Sequence, residues 1–328
     1  MTTASIQRSL RATVLTLYTV AMVHAAEPLG LKPGAVITLA ASPGKFDFLE
    51  VDPAAHWLLA GHEKDGTADF FDLNTNKLLA RVKVGPAVGV TVDPTTGRYF
   101  ASVQDDKRIA IIDGQTFKET GSIALPGESD AILFDAKDRR IYITNDNGKA
   151  LWAVDPDTGK IIATIPVAEG PECMAHDAAA DRIYLNSKVA NLVSVIDTKT
   201  NTVVATWPTA PAVGPHGLVL DAAHGRIFVS GDNGQLVALD TKTGKVVATA
   251  PIVEHVDQTA FDAALRRIYC AGPGAMSVVQ ASDAGLSSLG RIETNATAKN
   301  VAVDAKTHAV WTTFTDGKDS FAKSWTQP

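Results

Sequence analysis

Ionisable side chains recur at one position of a seven-copy repeat in this sequence. Each copy contains an aspartate followed by proline or alanine, and six of the seven residues five positions before that aspartate are ionisable. Ordinary protein composition would give about two charged residues in seven. The set consists of Asp47, Asp130, Glu172, His216, Asp257 and Lys299, with Val88 as its apolar member. Convergent polar groups are typical of ligand sites, so these residues are the first candidates for binding.

Three kinds of chemistry are open to this set. Its carboxylates could coordinate a hard divalent cation such as Ca²⁺, which takes oxygen ligands. His216 with an acidic neighbour could instead hold a transition metal, or it could act as a general base beside Lys299. The candidate metal ligands are Asp130, Glu172, His216 and Asp257. The sequence contains neither Gly-x-Ser-x-Gly nor His-Glu-x-x-His, so it favours binding over catalysis without excluding an enzyme.

Further polar residues are expected beside this set. Gln258 and Asn300 directly follow Asp257 and Lys299, and His62 lies in a loop that should face the same way. We therefore include Gln258, Asn300 and His62 in the predicted ligand site. Solvated strand ends would also be polar, and the pattern alone leaves that alternative open.

The repeat itself predicts the architecture. Its aspartates are separated by 41, 42, 42, 44, 41 and 42 residues. Each copy reads as four short strands rich in β-branched residues, joined by turns that contain Gly, Asn or Asp. Four antiparallel strands in a unit of this length are typical of a propeller blade. We predict an all-β, seven-bladed β-propeller with four antiparallel strands per blade. Its channel mouth is the end of the central channel at which the innermost strands begin.

The chain ends predict how the ring closes. The last repeat has room for only three strands, and the segment 34–38 has the offset expected for a fourth strand. The N-terminal strand should therefore complete the last blade, which would pair an otherwise open sheet edge.

Several copies resemble the YVTN-type β-propeller repeat family. The resemblance rests on Tyr142-Ile143-Thr144-Asn145, on its variants such as Tyr184-Leu185-Asn186, and on the turn Val92 to Arg98. It covers about residues 34–326 and implies an exported seven-bladed propeller. The family has no shared catalytic signature, so the resemblance implies no site residue.

The repeat aspartates and most histidines have structural interpretations. Seven copies of one carboxylate at one place are typical of turn caps. His56, His224 and His308 fall in the turns after three of these aspartates and should be solvated. His176 precedes another one and should be a packed, hydrogen-bonded histidine.

Composition and termini limit the partners. Residues 1–25 have the pattern of a signal peptide, with two arginines, an apolar stretch and small residues at positions 23 and 25, where a signal peptidase would read them. Residues 26–328 should then form one domain in the periplasm or outside the cell, without a transmembrane segment. The net charge of −6 and the lack of basic clusters argue against nucleic acid. The two cysteines, Cys173 and Cys270, fall two blades apart and should stay unpaired.

These observations predict a monomeric exported scaffold that binds a small molecule or an envelope protein at the channel mouth. The first alternative is a metal- or His-dependent lyase or hydrolase that uses the same face, with a divalent cation as the possible cofactor. The second alternative is a structural component of the cell envelope, which would need no tight small-molecule site.

Overall fold

A computed structural model describes residue 1 and residues 29–327. All but the first residue of the predicted signal peptide lies outside these described residues. The described chain forms 28 strands in seven antiparallel sheets of four strands each. The predicted all-β, seven-bladed propeller with four strands per blade is therefore confirmed.

The first strand, β1 (Lys32–Leu39), belongs to the last blade, and the chain then builds blades 1 to 3 in order. Blade 1 consists of β2 (Leu49–Asp52), β3 (Trp57–His62), β4 (Thr67–Asp72) and β5 (Lys77–Lys83). Blade 2 consists of β6 (Ala87–Asp93), β7 (Arg98–Val103), β8 (Arg108–Asp113) and β9 (Lys118–Ala124). Blade 3 consists of β10 (Ser129–Asp135), β11 (Arg140–Asn145), β12 (Ala150–Val154) and β13 (Ile161–Pro166).

Blades 4 to 7 repeat this order. Blade 4 consists of β14 (Pro171–Asp177), β15 (Arg182–Ser187), β16 (Leu192–Asp197) and β17 (Thr202–Pro208). Blade 5 consists of β18 (Pro215–Asp221), β19 (Arg226–Gly231), β20 (Gln235–Asp240) and β21 (Val246–Pro251). Blade 6 consists of β22 (Gln258–Asp262), β23 (Arg267–Gly272), β24 (Ala275–Ser282) and β25 (Gly285–Glu293). Blade 7 consists of β26 (Ala302–Asp304), β27 (Ala309–Asp316), β28 (Asp319–Thr326) and β1.

The two ends of the chain close the ring. Strand β1 pairs antiparallel with β28, with Ile37 opposite Ala322 and Thr38 opposite Phe321. The innermost strands contact each other in blade order, and β2 of the first blade contacts β26 of the last. The predicted closure by the N-terminal strand is confirmed.

The core is divided among the seven blade interfaces. Seven clusters of buried apolar side chains each draw on two neighbouring blades, and each interface has one cluster. Tyr142, for example, packs with Ile183 and Leu185 of the next blade. Because every sheet buries both faces against neighbours, the innermost strands are held rigidly around the channel.

The repeat aspartates cap the turn at the far end of each innermost strand. Asp52 accepts hydrogen bonds from the backbone N–H groups of Ala54 and Ala55, at 2.9 and 3.1 Å. Each of the other six repeat aspartates likewise accepts a backbone N–H from its own turn. The predicted role as turn caps is confirmed.

The same aspartates also join neighbouring blades. The residue four positions after a repeat aspartate has a positive φ, which turns its side chain towards the preceding blade. His56 places Nε2 2.8 Å from Asp304, and His308 places Nδ1 2.7 Å from Asp262. Arg139 reaches Asp93 in the same way, at 3.0 Å.

The histidine predictions for these turns need correction. His56 is buried between Asn74 and Asp304, so the prediction of a solvated turn residue was wrong for it. His308 is only one-third exposed and contacts the preceding blade, whereas His224 is 40% exposed beside its own cap Asp221. The left-handed turn conformation is the physical reason, because it directs the fourth residue inward rather than to solvent.

The described residues contain no helix that is long and apolar enough to span a membrane. Both cysteines are buried and unpaired, as predicted.

Candidate functional site

The channel mouth brings together residues of four consecutive blades. Nε2 of His216 lies 2.8 Å from Oε2 of Glu172 and 3.4 Å from Oδ1 of Asp257. The other carboxyl oxygen of Asp257 lies 3.1 Å from Nζ of Lys299. Each of these side chains comes from the start of a different innermost strand, so blades 4 to 7 are connected by one polar chain.

Two lysines that the sequence reading missed also belong to the mouth. Lys188, in the loop after β15, lies 3.4 Å from Nδ1 of His216 and 3.8 Å from Glu172. Lys45 lies 3.2 Å from Asp47 and 3.0 Å from Glu63. Lys45 precedes its partner by two residues and was therefore visible in the sequence. Lys188 could be found only from the prediction that these loops face the mouth.

The carboxylates lie deeper than the lysines. The side chains of Asp47, Glu172 and Asp257 are 14–16% exposed. The side chains of Lys45, Lys188 and Lys299 are 35–45% exposed. The mouth is therefore a recess with an acidic floor and a partly cationic rim.

The carboxyl groups of the floor are buried close to one another. Burial raises the pKa of Asp130 well above its usual range, and repulsion from Asp47, Glu172 and Asp257 raises it further. Burial also raises the pKa of Asp47 to about 6, since the opposing effect of Lys45 is only partial. Carboxyl groups with raised pKa values in a recess gain from any positive charge that reaches them.

Of two other predicted site residues, Gln258 links neighbouring blades and Asn300 is buried. The side chain of Gln258 accepts hydrogen bonds from the backbone N–H groups of Leu49 and Val301, and it donates to the carbonyl of Leu49. It thereby joins blades 1, 6 and 7 at the channel. Asn300 is buried, and its Nδ2 has no hydrogen-bond partner among the described residues.

His62 lies away from the mouth surface. Its ring is fully buried, with Nδ1 2.8 Å from Asp69 and Nε2 3.0 Å from the carbonyl oxygen of Gly44. It stacks on Phe46 at a centroid distance of 3.8 Å. The structure thus separates His62 from the other predicted site residues, because the end of β3 turns it into blade 1.

The described residues contain no prearranged metal site. Across residues 29–327, no group of three or more His, Cys, Asp or Glu side chains is placed to hold a metal ion. Among the predicted ligands, Nε2 of His216 faces two carboxylates and Nδ1 faces Lys188.

Below the mouth, the central channel contains a cavity of about 370 Å³. The innermost strands of blades 1 to 6 line it, and Glu50 is the carboxylate in its wall. Sequence reasoning missed Glu50. Seven residues lie two positions before a repeat aspartate, and Glu50 is the one ionisable residue among them. Comparing this position across the repeat, as was done for the mouth residues, would therefore have found Glu50.

Fold and site together define a seven-bladed β-propeller with an ionisable channel mouth. The chain belongs to the DUF5074 family, described as a domain of unknown function, which matches residues 85–275. The comparison with curated proteins gave no match.

Solved structures show the same fold at low sequence identity. A chain of the "Crystal Structure of Mitotic Checkpoint Complex" is 12% identical with a TM-score of 0.78, and the alignment covers 96% of this chain and 98% of that one. A chain of the Kuenenia stuttgartiensis hydrazine synthase structure is 15% identical with a TM-score of 0.71, over 90% and 95% of the two chains. At these identities the likeness concerns the fold alone.

Proposed function

We propose that this chain is an exported β-propeller of the YVTN repeat type that binds a ligand or a partner protein at its channel mouth. The proposal rests on one observation: Glu172, His216, Asp257 and Lys299 meet at the mouth although they come from four blades. A structural envelope component has no need of such convergence. The rigid ring would present the mouth, while the surrounding loops set specificity.

The charge distribution indicates the charge that the ligand should carry. A positively charged group in the recess would relieve the repulsion that adds to burial in raising the pKa of Asp130. The lysines of the rim can meanwhile pair with acceptors on the same ligand or partner. We therefore expect the bound group to be cationic where it enters the recess.

The test compares the full chain with two charge-matched variants. The mouth variant carries Asp130→Asn, Glu172→Gln and Asp257→Asn. The control variant carries Asp157→Asn, Asp283→Asn and Glu293→Gln, which remove three exposed carboxylates elsewhere. Each protein is purified from the envelope fraction without chelator and analysed by native and elemental mass spectrometry.

A ligand or partner retained by the wild type and the control but lost from the mouth variant would support the proposal. Identical profiles for all three proteins would contradict it. Stoichiometric metal that only the mouth variant loses would favour the metal-dependent enzyme instead.

A further inference from the structure

The channel cavity has the size and lining of a small-molecule site. Its volume of about 370 Å³ lies at the lower end of the range for ligand pockets, roughly 300–1,000 Å³. Its wall is of mixed polarity, and the apolar side chains that matter for this argument are Phe48, Val90, Ile132, Phe134, Met174 and Leu218. A ligand here would place its hydrocarbon part against these side chains.

Two polar groups among the residues that line this cavity lack partners. One carboxyl oxygen of Glu50 accepts a hydrogen bond from Thr91 at 3.2 Å, and no described residue donates to the other. His176 lines the cavity from blade 4, and its buried Nε2 has no partner among the described residues. The prediction that His176 is hydrogen-bonded was therefore wrong, although the ring is packed: neighbouring atoms enclose its Nε2, which is not open to the cavity. The free oxygen of Glu50 is thus the group that the cavity offers to a ligand.

The free oxygen of Glu50 is an acceptor once the carboxyl group is ionised. A ligand that pairs with the ionised form must therefore donate hydrogen bonds.

The electrostatics select a positive charge on that donor. The mouth carboxylates lie next to the cavity, since Glu172, Asp130 and Asp257 all act on the pKa of Cys173 in its wall. Their field repels anions from the channel. Phe48 and Phe134 add aromatic rings, which attract cations when water is excluded.

We propose that the channel cavity is a second binding site, separate from the mouth, for a small organic cation with an apolar body. Glu50 is the counter-ion, and the apolar side chains of the wall hold the hydrocarbon part. This site goes beyond the proposed function and does not require the mouth to bind anything.

Binding of a cation should release a proton. Burial raises the pKa of Glu50 to about 8; Thr91 opposes this through its hydrogen bond, and the charge of Asp52 adds to it. His176, across the cavity, is the other titratable group in the wall besides the thiol of Cys173. At pH 7 Glu50 is therefore mostly protonated, and pairing with an ammonium group should expel most of one proton per cation.

The probes are benzylammonium and the neutral benzyl alcohol, titrated calorimetrically into the full chain at pH 7. Titration in two buffers of different ionisation enthalpy measures the released proton. We expect Glu50→Gln to weaken benzylammonium binding at least about tenfold and to abolish proton release. Benzyl alcohol, which lacks the charge, should bind both proteins equally.

Two further variants keep the result interpretable. Met174→Trp should fill the cavity and remove binding of both probes, whereas the mouth variant should keep the proton release on binding benzylammonium. Equal benzylammonium affinity in the wild type and Glu50→Gln would overturn the proposal, as would undetectable binding at millimolar concentration. Loss of binding in the mouth variant, with full binding in Glu50→Gln, would assign the cation to the mouth and overturn the channel site.

Discussion

Replacing Glu50 with glutamine isolates the effect of one carboxyl group in the channel on stability. Glutamine keeps the shape of the side chain and can still accept the hydrogen bond from Thr91. The pKa of Glu50 is raised from 4.5 to about 8 in the folded protein. Between these values the folded state holds a proton that the unfolded state has lost. The stability of the wild type must therefore fall as the pH rises through this window.

The expected magnitude follows from the width of the window. A pKa difference contributes at most about 1.4 kcal/mol for each pH unit, or about 4 kcal/mol between pH 5 and pH 8. Solvent in the channel screens part of this effect. We expect Glu50→Gln to gain about 2 kcal/mol over the wild type between pH 5 and pH 8, with most of the gain above pH 6.

The assay is urea denaturation of both full-length proteins at pH 5, 6, 7 and 8, in the absence of amines. The difference between the two proteins removes the contribution of all other titrating groups. Glu63→Gln is the control, because partners lower the pKa of Glu63 despite its partial burial, so its effect lies below this window. Parallel pH profiles for the wild type and Glu50→Gln would refute the reasoning.

Three further predictions concern the frame around the channel. His56→Phe should destabilise the protein by about 3 kcal/mol in urea denaturation, because the buried carboxylate of Asp304 loses its partner on the neighbouring blade. Cys173 and Cys270 should not react with Ellman's reagent in the native protein at pH 8. Burial raises the pKa of both thiols, that of Cys270 to about 12. Deletion of residues 32–39 should expose the edge of β28 and produce aggregation in size-exclusion chromatography.

Each of these three predictions has a control or a contradicting result. His255→Phe is matched to His56→Phe, since His255 also has a positive φ but is 67% exposed and should tolerate the change. A stable His56→Phe protein would show that the contact between blades contributes little. Thiol labelling without denaturant would contradict the burial of the cysteines, and a monomeric, cooperatively folding deletion protein would contradict closure by β1.

The sequence repeat made the architecture predictable. The spacing of the aspartates gives the number of blades, and the strand left over at the N-terminus gives the closure. Both signals are local or periodic, because each blade repeats the same strands and turns. The role of the repeat aspartates was predictable for the same reason, since a turn cap binds backbone groups within three residues.

Which polar residues meet was harder to infer. Comparing positions across the repeat found His216 and Glu172, and the ring does bring them within 2.8 Å. The expected direction of its loop placed His62 in the site, although the fold turns its ring into blade 1. Lys188 was missed because one partner, Glu172, lies on another strand of its blade and the other, His216, lies on the next blade.

The sequence by itself determined the number of blades, the strands in each blade, the closing strand and the role of the repeat aspartates. Only the tertiary structure decided that His56 joins blade 1 to blade 7, that the mouth acids lie below a lysine rim, and that Glu50 lines a cavity. The physical reason is that blade identity depends on contacts close in sequence, whereas these properties depend on groups brought together by closing the ring. Asp304 and His56, for example, are 248 residues apart in the chain and 2.8 Å apart in the fold.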